Sequence, residues 1–313
     1  MVDATAIVVT YNSQRQIGAA LTALRRAGLP VRLVDNGSTD GTVALVRSDF
    51  PEVTVVSGTG NVGFAAAVNR AAAGVRSEVL LLVNPDCVVP PETARALVGT
   101  VLGRPDVGVA GPRLHDDTGR VAVSAHPFET LGTVVASRFG GPLVPVPVRR
   151  WLGGRHRRAA YEACLRGAEP TPVDWVSGAC LAVRTSLFTA VGGLDEAYFM
   201  YYEDEELCLQ ARRRGAEVLY LPSVAATHSG GASSSDPAWI WPHLYRSMLV
   251  FFSRHRPRSR RAVRAVVLLR ALLGVALATV RLSLQPRAGI ARMRAWTRVG
   301  RIAVTRLHTG GNH

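Results

Sequence analysis

The chain has no lysine: all 37 of its basic residues are arginine. That absence is a bias of composition and by itself assigns no chemistry. Cysteine is scarce. Cys87, Cys164, Cys180 and Cys208 lie far apart and form no CxxC pair. The usual zinc spacing and a dense disulfide framework are thereby excluded, and a reducing compartment fits. Acidic residues are missing from one whole region. Residues 1–236 carry 22 Arg against 23 Asp or Glu, whereas 237–313 carry 15 Arg and no acid. The net charge of +14 therefore belongs to the last quarter of the chain, which points to a soluble body with a tail that meets an anionic surface. The N-terminus has no basic flank leading into an apolar stretch, since Asp3 is followed almost at once by Ile7-Val8-Val9. No secretory leader is expected, and the body is expected in the cytoplasm.

What is there is ample for a core: 313 residues, 48% of them hydrophobic, enough for one large domain or two modest ones. Strands are expected at Ala6–Thr10, Val31–Val34, Val53–Val56, Val79–Val83 and Val107–Ala110. Helices are expected between them at Ser13–Ala27, with Ser13 as N-cap, and at Thr39–Arg47, Phe64–Ala73 and Pro91–Leu102. Further on, periodicity returns at Val173–Val183; Leu187–Val191 and Asp204–Arg214 read as helical, and Glu217–Leu221 as a strand. Strands alternating with helices imply an α/β fold with a mostly parallel sheet. Gly140–Pro147 and Arg149–Arg158 read as a loop or insertion. The loss of acids near Asp236 marks a boundary between a body over 1–236 and a tail over 237–313.

Three acidic stations stand out. Asp35 ends a strand and precedes Asn36-Gly37-Ser38. Such an Asp either holds the turn through backbone N–H groups or accepts a base-ring N–H of a nucleotide, which Tyr11 would flank. Asp86 ends an apolar run. Buried unpaired it would cost several kcal/mol, so it is either a solvated loop residue or a ligand for Mg2+ or Mn2+ bridging a diphosphate. Glu203-Asp204-Glu205-Glu206 opens a helix. Such a run is commonly a solvated face, but here Phe199-Met200-Tyr201-Tyr202 precedes it. Crowded like charges raise a pKa and suit a general base. His228 lies among small residues and is open to a structural reading or to metal ligation. One motif offers a rival: Gly58-Thr59-Gly60-Asn61-Val62-Gly63 matches GxGxxG, the mark of an NAD-dependent oxidoreductase. It follows the third strand instead of the first, and Glu78 precedes its strand instead of ending it.

The segments Ile7–Asn12, Val34–Thr42, Asn61–Asn69, Leu82–Asp86, Val176–Cys180, Gly192–Glu196, Phe199–Asp204 and Thr227–Ser229 together resemble the family 2 inverting glycosyltransferases. The resemblance implies the glycosyltransferase A fold for a catalytic domain over 1–236. It also implies that Thr10, Tyr11 and Asp35 hold the nucleotide, and that Asn61, Gly63 and Asn69 lie near it as the family's NxGxxxAxN segment. Asn84 and Asp86 occupy the DxD motif, with Asn in its first place, so metal binding rests on Asp86 with His228. Asp204 is implied as the catalytic base, assisted by Glu203, with Trp175 and Gly178 on the acceptor side. Within the family the chain looks most like rhamnosyltransferases that take dTDP-L-rhamnose to N-acetylglucosaminyl-diphospho-polyprenol in cell-wall or polysaccharide synthesis. A non-catalytic protein that only binds sugar nucleotides is the remaining alternative.

In the tail, Arg254, Arg256, Arg258, Arg260, Arg261 and Arg264 precede the apolar Ala265–Val280, which is short for a membrane span. Interfacial helices on an anionic membrane are expected, which would place the protein peripherally on the inner face of the cell membrane. Self-association into a homo-oligomer is a second reading. Nucleic acid is not expected as a partner, because Leu and Val interleave the arginines.

Overall fold

Seven residues, Ala4–Thr10, form β1, the strand around which the sheet is built. The computed structural model describes residues 3–57, 60–139, 167–230, 237–282 and 286–305. Gly58, Thr59, Cys164, Asp236 and the expected loop at 140–158 lie outside the described residues. Two compact units are present: one over 1–128, 161–196 and 203–233, the other over 129–160, 197–202 and 234–313.

In the first unit β1 pairs in parallel with β2 (Val31–Asp35) on one side and β4 (Val79–Val83) on the other. Beyond β2 lies β3 (Thr54–Ser57), also parallel, at the sheet's edge. On the far side of β4 come β11 (Cys180–Arg184), antiparallel, then β6 (Val107–His115) and β12 (Glu217–His228), parallel to each other. The last neighbour, β5 (Cys87–Val88), is antiparallel to β12. The sheet is thus mixed and mostly parallel, as the sequence implies.

Alternation of side chains sorts the core into two layers. Ala6, Val8, Leu33, Leu81 and Val83 face α1 (Ile17–Arg26) and α4 (Pro91–Gly103). Ile7, Val9, Val34, Leu80 and Leu82 face α3 (Phe64–Ala72) and α7 (Glu203–Arg213). All five side chains of β4 are buried, each stabilising the fold by about 1.5–3 kcal/mol. A strand covered on both faces reads as a continuous apolar run, and this one does.

Several expected boundaries shift for identifiable reasons. Ser13 does not cap α1: its hydroxyl donates to the Tyr11 carbonyl at 3.2 Å and its N–H to Thr42 Oγ1 at 2.9 Å. The helix begins later, at Ile17. The periodic segment Val173–Val183 contains β10 (Trp175–Val176) and the start of β11, with Ser177–Ala179 turning between them. β12 continues past Leu221 to His228 after a register shift between Leu221 and Ala225. Pro222 lies in that interval and has no N–H to give the ladder.

The second unit is helical. It contains α5 (Leu131–Phe139) and residues 197–202 as well as α8 (Pro237–His255), α9 (Arg260–Leu282) and α10 (Pro286–Val304). Trp241 of α8 packs on Trp296 of α10 at 4.4 Å between ring centres. Arg246 donates to the Ala197 carbonyl at 3.0 Å and Ser247 to that of Met200 at 2.8 Å, which ties residues 197–202 to α8. The apolar run that looks short in sequence lies inside the 23-residue α9. By length and composition alone, Arg260–Val280 is enough to cross a membrane.

Candidate active site

The strand order fixes where a ligand crevice must lie. From β1 the chain moves to β2 and β3 on one side, then returns to β4 on the other. Order reverses between β1 and β4, and open α/β sheets bind ligands at the carboxyl ends of such neighbours. Thr10 is level with Asp35, and Val8 with Val83. The antiparallel β11 starts with Cys180 opposite Val83, so Gly178 and Ala179 lead into it at the same edge. β12 ends there too, with His228 opposite Cys87.

Asp86 is 7% exposed, and its Oδ1 lies 3.2 Å from Nε2 of His228. Asn84 places its amide nitrogen 3.4 Å from that same Nε2. Two backbone bonds hold the group: Ser229 N–H donates to the Asp86 carbonyl at 3.1 Å, and Asn84 N–H to that of Ala179 at 2.9 Å. The second bond links the Asp86 turn to the segment that carries Gly178.

Gly178 in turn holds Asp204. Its N–H donates to Oδ2 at 2.9 Å, while the Glu205 N–H donates to Oδ1 at 2.9 Å. A Cβ on Gly178 would meet the Asp204 Cβ at 3.3 Å, so this approach favours glycine. Asp86 and Asp204, 118 positions apart in sequence, are therefore joined through Asn84, Ala179 and Gly178 at one sheet edge.

Burial raises the Asp204 pKa above the ordinary value, although the two N–H donors pull it back. Glu203 beside it is 8% exposed, and its Oε2 is buried without a hydrogen-bond partner among the described residues. Burial first, then the Asp204 charge, drive its pKa well up. Both carboxyls are thus held above their ordinary range. Asp204 still has lone pairs open beyond its two donors. Immediately before the pair, Tyr201 and Tyr202 both adopt positive φ, 66° and 73°. Such strain in bulky residues clusters at functional sites.

On the opposite flank, Asp35 is occupied. Its Oδ2 accepts from Gly37 N–H at 3.2 Å and Ser38 N–H at 3.0 Å, so the turn-holding reading describes its contacts. Gly37 has φ 87°, and a Cβ there would come 3.1 Å from the Gly60 Cα. Asn61 Oδ1 accepts from Asn36 Nδ2 at 3.2 Å and from Gly63 N–H at 3.1 Å. Gly63, at φ 91°, opens α3. Thr10 Oγ1 is buried and unpartnered among the described residues. Tyr11 follows Thr10 at the end of β1 and is partly exposed.

Two residues are engaged elsewhere. Asn69 clamps the 193–196 turn: its Oδ1 accepts from Leu194 N–H at 2.8 Å, and its Nδ2 donates to the Leu194 carbonyl and to Glu196. Its carboxamide is spent on the protein, and a Cβ on Gly193 would collide with it at 2.4 Å. Trp175 donates to the Pro127 carbonyl at 3.2 Å and stacks on His126 at 4.2 Å. Burial drives that imidazole down to a pKa of about 4, so it is neutral.

Sequence reasoning overlooked Asn36 and Asn12. Asn36 is 4% exposed; its side chain also donates to the Gly63 carbonyl at 3.1 Å and accepts from Val62 N–H at 3.2 Å. Asn12, at φ 51°, accepts from Thr39 N–H at 2.8 Å. The available signal was an Asn within two residues of the end of each of two neighbouring strands.

A sheet with this reversal defines an open α/β protein whose ligand crevice lies beyond the carboxyl ends of β1 and β4. Residues 5–156 match the family model described as glycosyl transferase family 2. An N-acetylglucosaminyl-diphospho-decaprenol L-rhamnosyltransferase of Mycobacterium tuberculosis is 32% identical over 265 residues, spanning 80% of this chain and 84% of that one. A low-salt glycan biosynthesis hexosyltransferase of Haloferax volcanii is 26% identical over 72% of this chain and 67% of its own length. Among solved structures, a mannosyltransferase from Pyrobaculum calidifontis in complex with GDP-Man and Mn2+ shares the fold. Its TM-score is 0.53 at 18% identity, covering 96% of this chain and 86% of that one. The chain belongs to glycosyltransferase family 2 and is a glycosyltransferase of the A fold. The dinucleotide reading of Gly58–Gly63 falls with that result: the motif follows β3, the edge strand, and Gly63 is bonded into the Asn36–Asn61 network.

Proposed function

We propose that this enzyme transfers L-rhamnose from dTDP-L-rhamnose, with inversion, to a hydroxyl of N-acetylglucosamine carried on a polyprenyl diphosphate at the inner face of the cell membrane. The observation that carries the transfer chemistry is the linkage of Asp86 to Asp204 through Asn84, Ala179 and Gly178. It supports a reading in which a leaving-group station and a base act side by side. The choice of sugar and acceptor is supported by the mycobacterial relative, of which the chain covers 84%. The lipid carrier agrees with an acid-free, arginine-rich last quarter.

In this reading Tyr11 and Asp35 receive the base, and the loop around Asn61 and Gly63 lies against the nucleotide. Asp204 takes the proton of the acceptor hydroxyl as that oxygen attacks the anomeric carbon. Burial keeps its pKa above the ordinary carboxylate value, which suits a proton acceptor. Gly178 N–H fixes the direction of the carboxylate. Trp175 would border the acceptor.

The residues at Asp86 fit a divalent cation. Asp86 Oδ1 and His228 Nε2, 3.2 Å apart, would hold it, supplying a hard oxygen and an imidazole nitrogen. Carboxylate with imidazole favours Mn2+ over Mg2+. Bound there, the ion would neutralise charge on the departing diphosphate.

Several sugar nucleotides should be offered together with a short-chain polyprenyl-diphospho-N-acetylglucosamine, following release of nucleoside diphosphate with and without added Mn2+. Turnover with dTDP-L-rhamnose well above the other donors is expected. Preference for a different donor would overturn the assignment of the sugar. Undiminished turnover after exhaustive chelation would overturn that of the metal.

A further inference from the structure

Helix α9 is apolar on two opposite faces. Val263, Val267, Ala271, Gly274 and Ala278 recur at helical spacing and are buried. Gly274 is required there, because a Cβ would come 2.3 Å from the Trp296 ring. The other face carries Leu269, Leu272, Leu273 and Leu277, exposed by 52%, 61%, 45% and 62%. Only one charged residue, Arg270, occurs between Ala265 and Val280. Its guanidinium lies over Trp296 at 4.2 Å, so it is drawn toward α10 and leaves the leucine face uncharged. A water-facing helix surface is ordinarily polar, and a continuous apolar stripe marks a contact surface.

A pocket opens beside the stripe. It encloses about 180 Å³ and is lined by Trp241, Arg270, Gly274, Leu277, Arg292 and Trp296. Neither Arg270 nor Arg292 has a carboxylate partner among the described residues. Residues 237–313 contain no acid that could supply one. Two unneutralised guanidiniums between indole walls, bordered by an exposed leucine, match one chemistry: a phosphate carried on an apolar chain.

We propose that this pocket receives the headgroup phosphate of an anionic phospholipid while the leucine stripe of α9 lies in the surrounding bilayer. The proposal rests on the membrane-surface reading above and names the face and the pocket that serve it. Charge selects the occupant. A second copy of this chain would bring another arginine-rich, acid-free surface against the first, which repels it. Nucleic acid would satisfy the arginines and leave the leucines in water. An anionic bilayer satisfies both, with aliphatic burial and headgroup attraction acting together. The helix lies in the membrane plane, since Arg258, Arg260, Arg261 and Arg264 crowd its start and its inner face is taken by α10.

The test uses the full-length enzyme in co-sedimentation with phosphatidylcholine vesicles and with phosphatidylcholine vesicles containing phosphatidylglycerol. Wild type should bind the second far better. Leu272→Glu with Leu277→Glu should weaken binding to anionic vesicles at least about tenfold. Arg292→Gln should lower it about fivefold and reduce the preference for anionic lipid. Thermal unfolding and transfer to a soluble acceptor analogue should be unchanged in both variants. Failure of wild type to bind either vesicle would sink the membrane reading itself. Wild-type binding with an equally avid double variant would show the face to be wrong, and unaltered lipid preference in Arg292→Gln would do the same for the pocket. Concentration-dependent oligomers abolished by the leucine substitutions, without vesicle binding, would transfer the surface to self-association.

Discussion

Asp35, at the end of β2, and the Glu203–Asp204 pair, at the start of α7, are two acidic stations whose surroundings differ. Asp35 closes a turn on its own backbone, with two N–H donors to one oxygen. The pair enters a helix where burial raises both pKa values, and the Asp204 charge adds to the rise at Glu203. Two backbone donors serve Asp204, and Glu203 Oε2 has none among the described residues. A satisfied carboxylate is already at rest and suits binding. An under-compensated one gains when a proton moves, and suits rate. The comparison makes a kinetic statement: the flank at Asp35 should govern KM, and the flank at Asp204 should govern kcat.

The largest effect should come from Asp204→Asn. The amide keeps the shape and can still accept from Gly178, but it cannot take a proton. A fall in kcat of about a thousandfold is expected, within the range for a lost general base, with donor affinity by calorimetry nearly unchanged. A near-normal rate would break the comparison at its stronger end.

Glu203→Gln should act through stability and pH. A folded pKa raised above the unfolded value means that the folded state holds the proton more tightly. That contribution is complete below the ordinary glutamic-acid range and is lost as pH rises through the raised folded value. Wild type should therefore lose stability across that window. The variant has no proton to release, so its unfolding free energy should be flatter there and about 1–2 kcal/mol higher at the alkaline end. Denaturant melts at several pH values measure this directly. Parallel pH dependences for the two proteins would mean that Glu203 is not under strain.

The sheet was legible because β1 and β4 are buried on both faces and announce themselves as unbroken apolar runs. Helices α1, α3 and α4 were legible from periodicity, within a few residues. The sites at Asp86 and Asp204 were legible one at a time, as acids placed at the ends of elements. Their nearness was expected from the family resemblance, but the link itself was not legible, since it depends on Asn84 N–H reaching Ala179, a bond between backbone atoms that no side-chain pattern encodes. Asn69 was legible as a position but its intramolecular contacts were not, because those partners lie 125 and 127 residues away. The two faces of α9 were hidden for a related reason. Composition shows that the helix is apolar, but only packing against Trp296 shows which side is spent.

The smallest effect, and the sharpest test of the comparison, belongs to Asp35→Asn. An asparagine oxygen can still accept from Gly37 and Ser38, and Asn is at home in such turns. Stability should change by less than about 0.5 kcal/mol. What the amide loses is charge and one acceptor, the properties a base-ring N–H would use. The expected result is a donor KM raised about tenfold, roughly the worth of one hydrogen bond to a charged group, with kcat held. If kcat fell instead, Asp35 would belong with the acids that do chemistry, and the division between the two flanks would fail. If neither constant moved, its carboxylate would serve the turn alone, and the nucleotide base would have to be read by Tyr11 and the Asn61 loop.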